Sequence, residues 1–309
     1  MAQRVKVHTV DSDEAGQRVD NFLFRVLKGV PKSRIYKAIR SGEVRINKKR
    51  VKPVIKLQVN DVVRIPPLTV KEEVQVFVKD KLKSQILSSI LFENEELLVL
   101  NKPSGIAVHG GSGVALGLIE ALRAIKPECK KLALVHRIDK DTSGCIMVAK
   151  NHQVLTNLHA QLREKTIQKT YLALALGKWP ARKAQVKAPL EKYTLASGER
   201  MVKVSSAGKP SLTLTTIKQV LQDFTLLEAS PVTGRTHQIR VHCQFEGFPL
   251  AGDPKYCTDN QLKAVAEYGL ERLFLHAYRV EFFSPLLKKR IKVTAPLPDD
   301  LSAFLAGLS

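Results

Sequence analysis

The densest group of polar side chains in this chain lies at residues 136–144. It contains His136, Arg137, Asp139 and Thr142, and it leads directly into the apolar run 145–149. Side chains that ionise beside a predicted strand are typical of a site for polar chemistry, because functional groups concentrate on loops that a rigid element positions. The same composition is typical of a solvated turn whose aspartates accept hydrogen bonds from nearby amides. On these residues alone both interpretations stay open.

A second polar group at residues 234–242 begins a predicted short helix over 236–245 and contains Arg235. The first residues of a helix present free amides and the positive end of its dipole, which suits an anion or a carboxylate. An ordinary helix with surface basic residues is the alternative. The histidines do not have the spacing of a helical metal site, and no Cys-x-x-Cys pair occurs, so we predict no metal.

Tyr171 begins an apolar run, and an aromatic residue in that place usually belongs to the core. The glycine-containing run 109–113 lacks the spacing of a dinucleotide-binding loop. No phosphate-binding loop and no Gly-x-Ser-x-Gly motif is found, so ATP hydrolysis and serine esterase chemistry are excluded. We therefore predict no nucleotide cofactor.

The charge of the chain indicates a polyanionic partner. Its 50 basic residues outnumber its 29 acidic residues, which gives a net charge of +21. Residues 18–64 alone hold fourteen basic residues and three acidic ones. An uninterrupted positive surface repels itself unless phosphates neutralise it, so we favour a nucleic-acid-binding face over a merely solvated one. Its predicted members lie on the outer face of a helix and on the turn between two short strands: Arg34, Lys37, Arg40, Lys48, Lys49 and Arg50.

Helical and strand periodicities divide the chain into a small domain at 1–66, with its core at 18–64, a linker at 67–83 and a larger domain at 84–309. In the larger domain several strands follow one another without an intervening helix, which indicates an α+β fold. The chain has no apolar run that could span a bilayer and no apolar segment near its start, so we expect a cytoplasmic protein that binds no membrane. The four scattered cysteines are expected to be free thiols.

Five ordered motifs of the larger domain, taken together, resemble the RluA family of pseudouridine synthases, which act on ribosomal RNA. They are residues 101–105, 136–144, 169–171, 234–240 and 275–277. Ahead of them, the runs at 18–20, 32–34, 41–47 and 60–63 resemble the S4 RNA-binding domain. The resemblance implies a catalytic domain with a mixed, mostly antiparallel β-sheet flanked by helices and loops.

The resemblance also implies a reaction and roles for residues. The reaction is isomerisation of specific uridines of large-subunit (23S) ribosomal RNA to pseudouridine, without cofactor or metal. Asp139 would be the catalytic carboxylate, Arg235 would pair with it, and Tyr171 would stack on the uracil near C5, which replaces the core interpretation. Arg137 would fill the space that the flipped uridine leaves. His136 and Thr142 would hold the loop.

Two alternatives remain open from the sequence. A sister synthase of the same family would act on other uridines of ribosomal or transfer RNA. A non-catalytic RNA-binding factor in ribosome assembly would keep the fold as a scaffold, although the presence of Asp139, Tyr171 and Arg235 argues against it. We expect a monomer.

Overall fold

The computed structural model describes residues 5–27, 29–68, 77–110, 116–129 and 131–308. The chain divides into two compact units, Met1–Phe77 and Val78–Ser309. The division falls within the predicted linker, of which residues 69–76 lie outside the described part, as do residues 111–113 of the glycine-containing run.

The first unit packs two helices against a small antiparallel sheet of strand order β1-β4-β2-β3. Its elements are β1 (Lys6–Thr9), α1 (Val19–Val26), α2 (Lys32–Arg40), β2 (Arg45–Ile46), β3 (Lys49–Arg50) and β4 (Val62–Ile65). The helices form where apolar residues recur at helical spacing, and their buried faces share one core with the inward residues of β4. Asp20 of α1 is buried and accepts hydrogen bonds from the Arg18 guanidinium at 2.6 and 3.1 Å and from the Tyr36 hydroxyl at 3.2 Å, which fixes α1 against α2.

The predicted turn at residues 48–50 is wrong in its extent. Asn47 and Lys48 have φ values of 50° and 68°, and they alone connect β2 to β3. Two successive residues of positive φ form the turn whose twist matches a two-residue hairpin. Lys49 and Arg50 therefore belong to β3 and pair with Ile46 and Arg45.

The second unit is built on one large sheet with helices around it. Its helices are α3 (Asp80–Ser88), α4 (Leu118–Ile125), α5 (His152–Arg163), α6 (Gln238–Phe245), α7 (Asp259–Glu267) and α8 (Asp299–Gly307). Its strands are β5 (Ile90–Glu93), β6 (Leu97–Lys102), β7 (Ala133–Leu134), β8 (Ser143–Ala149), β9 (Gln168–Leu176), β10 (Gln185–Lys187), β11 (Leu190–Thr194), β12 (Arg200–Val204), β13 (Leu212–Val220), β14 (Phe224–Pro231), β15 (Leu275–Ser284) and β16 (Lys289–Thr294).

Ten of these strands form the large sheet within the described residues, in the order β10-β13-β14-β9-β15-β8-β6-β5, with β16 on β15 and β7 on β8. All pairs are antiparallel except β15 with β8. The predicted α+β fold with a mixed, mostly antiparallel sheet is confirmed. Strands β11 and β12 form a separate hairpin.

Glycine is required where β8 meets β15. Gly144 has φ of 107°, and a Cβ placed on it would lie 2.3 Å from the carbonyl oxygen of Ala277. Only a residue without a side chain allows this approach. The parallel pair sets Ser143 beside His276 at the point where the polar loop 135–142 ends, and so fixes that loop to the centre of the sheet.

Candidate active site

The loop at residues 135–142 is held in place by hydrogen bonds from the end of β6 and the segment that follows it. The Lys140 carbonyl accepts hydrogen bonds from the Gly105 amide and from Lys102 Nζ, both at 2.9 Å. The Asp141 carbonyl accepts one from the Ser104 hydroxyl at 2.8 Å. The motif at 101–105 thus serves as a support that fixes the loop carrying Asp139.

Lys102 is a fully buried cation for which the sequence suggested no role. Its ammonium donates to the carbonyls of Pro103, Ile106 and Lys140, which use all three of its hydrogens. Burial lowers the pKa of Lys102 to about 7, against the favourable charges of Asp141 and Asp139. A signal was present in the sequence, since a lysine two residues after the apolar run 97–100 must either leave the sheet or be buried with partners.

Asp139 lies at the end of a buried ion-pair chain. Its Oδ2 accepts a hydrogen bond from Arg240 NH1 at 3.2 Å. Arg240, only 1% exposed, is itself held by two bonds to Asp253, from Nε at 2.8 Å and from NH2 at 2.6 Å. A bidentate pair fixes the guanidinium plane, so its remaining edge presents one N–H to Asp139 in a defined direction. The Asp139 side chain is 27% exposed and therefore reachable by a ligand.

The prediction that Arg235 pairs with Asp139 is wrong. Arg235 is exposed, and its Nε donates instead to the carbonyl of Pro210 at 3.3 Å. The physical reason is the position of α6, which begins at Gln238 and not at 236. Arg240 lies on the buried side of that helix, whereas Arg235 lies in the turn before it.

His237 also faces Asp139. Its backbone has φ of 51°, a left-handed conformation that few residues other than glycine adopt without strain. This conformation directs the ring so that Nε2 lies 3.9 Å from Asp139 Oδ2 and Nδ1 lies 2.7 Å from the Tyr256 hydroxyl. Tyr256 accepts a further bond from the Val202 amide at 3.2 Å, which ties the ring to β12. Burial lowers the pKa of His237, against the opposing charge of Asp139.

The carboxylate opens into a small cavity of about 90 Å³. Tyr171, Thr142, Leu275 and Arg240 line it together with Asp139. Tyr171 is 8% exposed, so it belongs to the core and to the wall of the cavity at once. Burial, with the nearby charge of Asp139 second, raises the pKa of Tyr171, so its phenol is neutral at physiological pH.

The cavity adjoins a larger cleft of about 1040 Å³. Cationic side chains from α5, β9, the β11–β12 hairpin and the two polar loops line this cleft: Arg137, Arg163, Lys165, Lys169, Lys192, Arg200 and Arg235. Arg137 and Arg235 line both spaces and are exposed. The structure therefore brings Asp139, Tyr171, Arg137 and Arg235 to one cavity mouth, although Arg235 is not the ion-pair partner.

His136 and Thr142 lie at the two ends of the same loop. The ring of His136 accepts a hydrogen bond from the Met147 amide at Nε2, at 3.3 Å, while its buried Nδ1 has no partner among the described residues. Burial lowers the pKa of His136 to about 3, so the ring is neutral. Thr142 closes the loop through its amide, which donates to the Asp139 carbonyl at 3.2 Å. Its buried hydroxyl has no hydrogen-bond partner within the described chain.

Buried neutral histidines predict a loss of stability in mild acid. Burial lowers the pKa of His276 to about 4, and its ring is held between the Ser143 hydroxyl and the Ala295 carbonyl. Because the folded pKa lies below that of the unfolded chain, this contribution is complete above about pH 6.5 and is lost as the pH falls towards 4. The free energy of unfolding should then fall by up to about 1.4 kcal/mol per pH unit for each such histidine.

Urea unfolding followed by the fluorescence of Trp179 would measure this effect. Trp179 is the only tryptophan of the chain and is buried in the second unit. Between about pH 6.5 and 5, the free energy of unfolding of the His276→Asn variant should change less steeply with pH than that of the wild type, whatever its absolute stability. Equal slopes would show that His276 is not held neutral.

On the first unit, the predicted RNA-binding residues are exposed, except Arg34, which is half-buried. Arg34 is paired with Glu43 at 3.0 Å. Within the part of the chain that the structure describes, the others form no ion pair with a carboxylate: Lys37, Arg40, Lys48, Lys49 and Arg50. The side chain of the hairpin residue Arg50 packs against Gly42, two residues after the end of α2, since a Cβ there would lie 2.5 Å from the Arg50 guanidinium.

The described ranges contain neither a metal site nor a membrane-spanning helix. No group of three or more of their His, Cys, Asp or Glu side chains is arranged to hold a metal ion. Among the same residues, no helix has both the length and the apolar character needed to cross a membrane.

Comparison with known proteins identifies both units. The family model described as RNA pseudouridylate synthase matches residues 96–245, and the S4 domain model matches residues 17–63. Ribosomal large subunit pseudouridine synthase C of Pasteurella multocida is 53% identical over 99% of this chain and 94% of its own length. The protein of the same name from Escherichia coli K12 is 51% identical over 98% of this chain and 97% of its own.

Solved structures agree with the sequence relatives. Human RNA pseudouridylate synthase domain containing 4 is 26% identical, with a TM-score of 0.61 over 74% of this chain and 96% of its own. These similarities confirm the family predicted from the motifs, and both sequence relatives carry the name of its type C. The chain is a member of the RNA pseudouridylate synthase family and carries an S4 domain ahead of its synthase unit.

Proposed function

We propose that this protein converts specific uridines of large-subunit (23S) ribosomal RNA to pseudouridine, with Asp139 as the catalytic carboxylate. The observation that carries the proposal is the Asp139 carboxylate itself, fixed by buried Arg240 at 3.2 Å and opening beside Tyr171 into a cavity at the base of a cationic cleft. The full-length relatives, which are named as synthases of the large ribosomal subunit, support the choice of RNA.

The reaction is an isomerisation whose atoms balance without a co-reactant. The bond from ribose C1′ to uracil N1 breaks, the uracil turns within the cavity, and C5 bonds to C1′. The C5 proton is lost, and N1 gains one. Asp139 would act on the electron-poor sugar as nucleophile, base or electrostatic partner, and each role requires an ionised carboxylate held close to the substrate. The Arg240 guanidinium, which donates to Asp139 Oδ2 at 3.2 Å, fixes the direction of that carboxylate.

Tyr171 would support the base while it turns. Its ring lines the cavity with Leu275, so a uracil could stack against an apolar wall there. A neutral phenol is suited to exchanging a proton with a nearby group only as the reaction develops, because its raised pKa disfavours a free phenolate. This role for Tyr171 follows from its place beside Asp139.

The target uridine has to leave its helix to reach a cavity of this size. Enzymes that act on a base inside a duplex turn the nucleotide outward into a pocket and stabilise the gap that it leaves. Arg137 is exposed at the mouth of both the cleft and the cavity, next to Ile138 and Asp139. We assign it to that gap, and we assign Arg235, at the same mouth, to contacts with RNA and not to the carboxylate.

Mapping of pseudouridine in RNA tests the proposal. Large-subunit ribosomal RNA transcribed without modifications is incubated with the wild-type protein, treated with a carbodiimide that marks pseudouridine, and copied by reverse transcriptase. We expect new stops at a few discrete uridines. Stops on transfer RNA or on other uridines would instead support a sister synthase. No stops on any RNA, despite binding, would support a non-catalytic assembly factor and overturn the proposal.

The first unit should bind RNA with an affinity that decreases as the salt concentration rises. Neutralising Lys37, Arg40 and Lys49 to glutamine should weaken RNA binding and reduce the slope of log affinity against log salt by about 0.9 for each phosphate that is no longer neutralised. Filter binding at several salt concentrations measures the slope. Val54 and Ile55 are exposed apolar residues of the same unit, and serine at both positions is the control that should leave the slope unchanged. An unchanged slope in the triple variant would remove these residues from the RNA interface.

The proposal has two further parts: the protein works in the cytoplasm, and it works as a monomer. Size-exclusion chromatography with light scattering tests the second statement.

A further inference from the structure

Lys169 is a half-buried lysine of the cleft that has no role in the sugar chemistry proposed for Asp139. It lies two residues before Tyr171 on β9, and alternate residues of a strand point to the same face. Its side chain lines both the cavity and the cleft. A Cβ placed on Gly234 would lie 4.0 Å from Lys169 Nζ, so the ammonium lies over the turn that precedes α6.

No acidic side chain among the described residues compensates this ammonium. Across the described residues Lys169 forms no hydrogen bond and no ion pair, in contrast to Lys102, whose three protons are all bound. Burial lowers the pKa of Lys169, and no carboxylate opposes that effect. Its charge also disfavours protonation of nearby His136. An unpaired cation that is partly withdrawn from water is unfavourable, so a ligand that is itself anionic would stabilise it.

Taking the proposed function as given, we propose that Lys169 binds the backbone phosphate of the uridine that enters the cavity. The location fits, because a nucleotide with its base beside Tyr171 and Leu275 and its sugar at Asp139 must place a phosphodiester nearby in the cleft. The carboxylate of Asp139 attracts no phosphate, and Lys102 is fully bound, so the half-buried Lys169 is the cation that we assign to this contact. Lys169 is thus an RNA-binding residue of the cavity, distinct from the exposed cations of the cleft.

The contribution of the Lys169 charge to RNA binding is tested in a variant that should bind RNA without converting uridine. In an Asp139→Asn background, Lys169→Met should weaken binding of a short RNA carrying a mapped target uridine by on the order of tenfold. The slope of log affinity against log salt should decrease by about 0.7 to 0.9, the decrease expected when one phosphate is no longer neutralised. Lys169→Arg should retain most of the affinity. Lys263→Met is the matched control, since Lys263 is exposed on α7 and lies outside the cleft.

The phosphate is identified by removing its charge. A neutral methylphosphonate is substituted in turn for the phosphate on either side of the target uridine. At one of the two positions it should weaken binding to the Asp139→Asn protein that retains Lys169. The same link should have no effect on the Lys169→Met form, because the interaction is already absent. If Lys169→Met reduces affinity but both forms respond equally to both links, the residue contacts another group and the proposal is overturned. Wild-type affinity and slope in Lys169→Met would overturn it as well.

Two further measurements make the outcomes distinguishable. The first shows whether Lys169→Met changes the folding of the protein, and the second shows whether the proposed function itself holds. Since the ammonium has no partner among the described residues, Lys169→Met should unfold at the same or a higher urea concentration than the wild type, and a lower midpoint would indicate a structural role. Pseudouridine formation by the wild-type protein on the same RNA is measured in parallel. Its absence refutes the proposed function, whereas its presence with unchanged Lys169→Met binding refutes this inference alone.

Discussion

Replacing Asp139 with asparagine should lower the rate of pseudouridine formation by on the order of 10⁴-fold while RNA affinity and stability stay near those of the wild type. Asparagine has the shape of aspartate and keeps an oxygen that accepts from Arg240, so the position of the loop should be preserved. It removes the negative charge that the sugar chemistry needs. Arg240 keeps its two bonds to Asp253 in this variant, so no buried charge is left unpaired.

Nucleoside analysis of RNA after single-turnover incubation measures that rate, and filter binding measures affinity. Asp141→Asn is the matched control, because Asp141 lies in the same loop, has its carbonyl bound by Ser104 and places its charge near Lys102, but does not line the cavity. It should retain most of the activity. A rate of pseudouridine formation near that of the wild type in Asp139→Asn would show that the carboxylate has a structural role. Equal losses of rate in the two variants would show that the substitutions disturb the loop and do not act on the chemistry.

Replacing Arg240 with methionine should affect both stability and turnover. The change leaves the fully buried Asp253 without its bidentate partner, which costs about 3–5 kcal/mol when one member of a buried ion pair is removed. It also removes the one strong hydrogen bond to Asp139. Turnover should fall by at least about 10²-fold, because a carboxylate that is free to rotate no longer meets the sugar in one geometry.

A second variant separates these two effects. Asp253→Asn combined with Arg240→Met removes both charges, and the asparagine oxygen still accepts from the Lys255 amide, at 2.9 Å in the wild type. Urea unfolding should then recover most of the lost stability, while turnover stays low. Recovery of turnover together with stability would mean that Arg240 supports the fold alone. Arg235→Ala, at the exposed position, should unfold like the wild type and change KM more than kcat.

The elements of both units could be predicted because their apolar residues recur at the period of the structure that they form. Val19, Phe22 and Leu23 give the buried face of α1, and the uninterrupted apolar run 97–100 gives the buried strand β6. The short strand β1 is not recognisable, because only one of its four residues is even partly buried and its stability comes from pairing with β4. Such tertiary pairing leaves no periodic pattern in the sequence.

The site was predictable in its residue types but not in its pairings. Asp139 is recognisable through the resemblance of its motif to the synthase family, since the dense polar run before a strand by itself also fits a solvated turn. Arg235 and Arg240 look equivalent in sequence, since both lie in one basic segment. What separates them is burial: Arg240 lies between Ile239 and Val241, both buried, and faces Asp253, which lies thirteen residues further along the chain. Only the packed helix shows which arginine reaches Asp139.

The most direct test of the central claim is the release of tritium from large-subunit ribosomal RNA transcribed with 5-tritiated uridine. Joining C5 to the sugar must expel the C5 hydrogen, so tritium in water counts completed isomerisations. We predict release by the wild-type protein, to a plateau of a few tritons per RNA, and no release above background by Asp139→Asn added at the same concentration. Equal release by both proteins would contradict the role of Asp139, and no release by the wild type from RNA that it binds would contradict the proposed function.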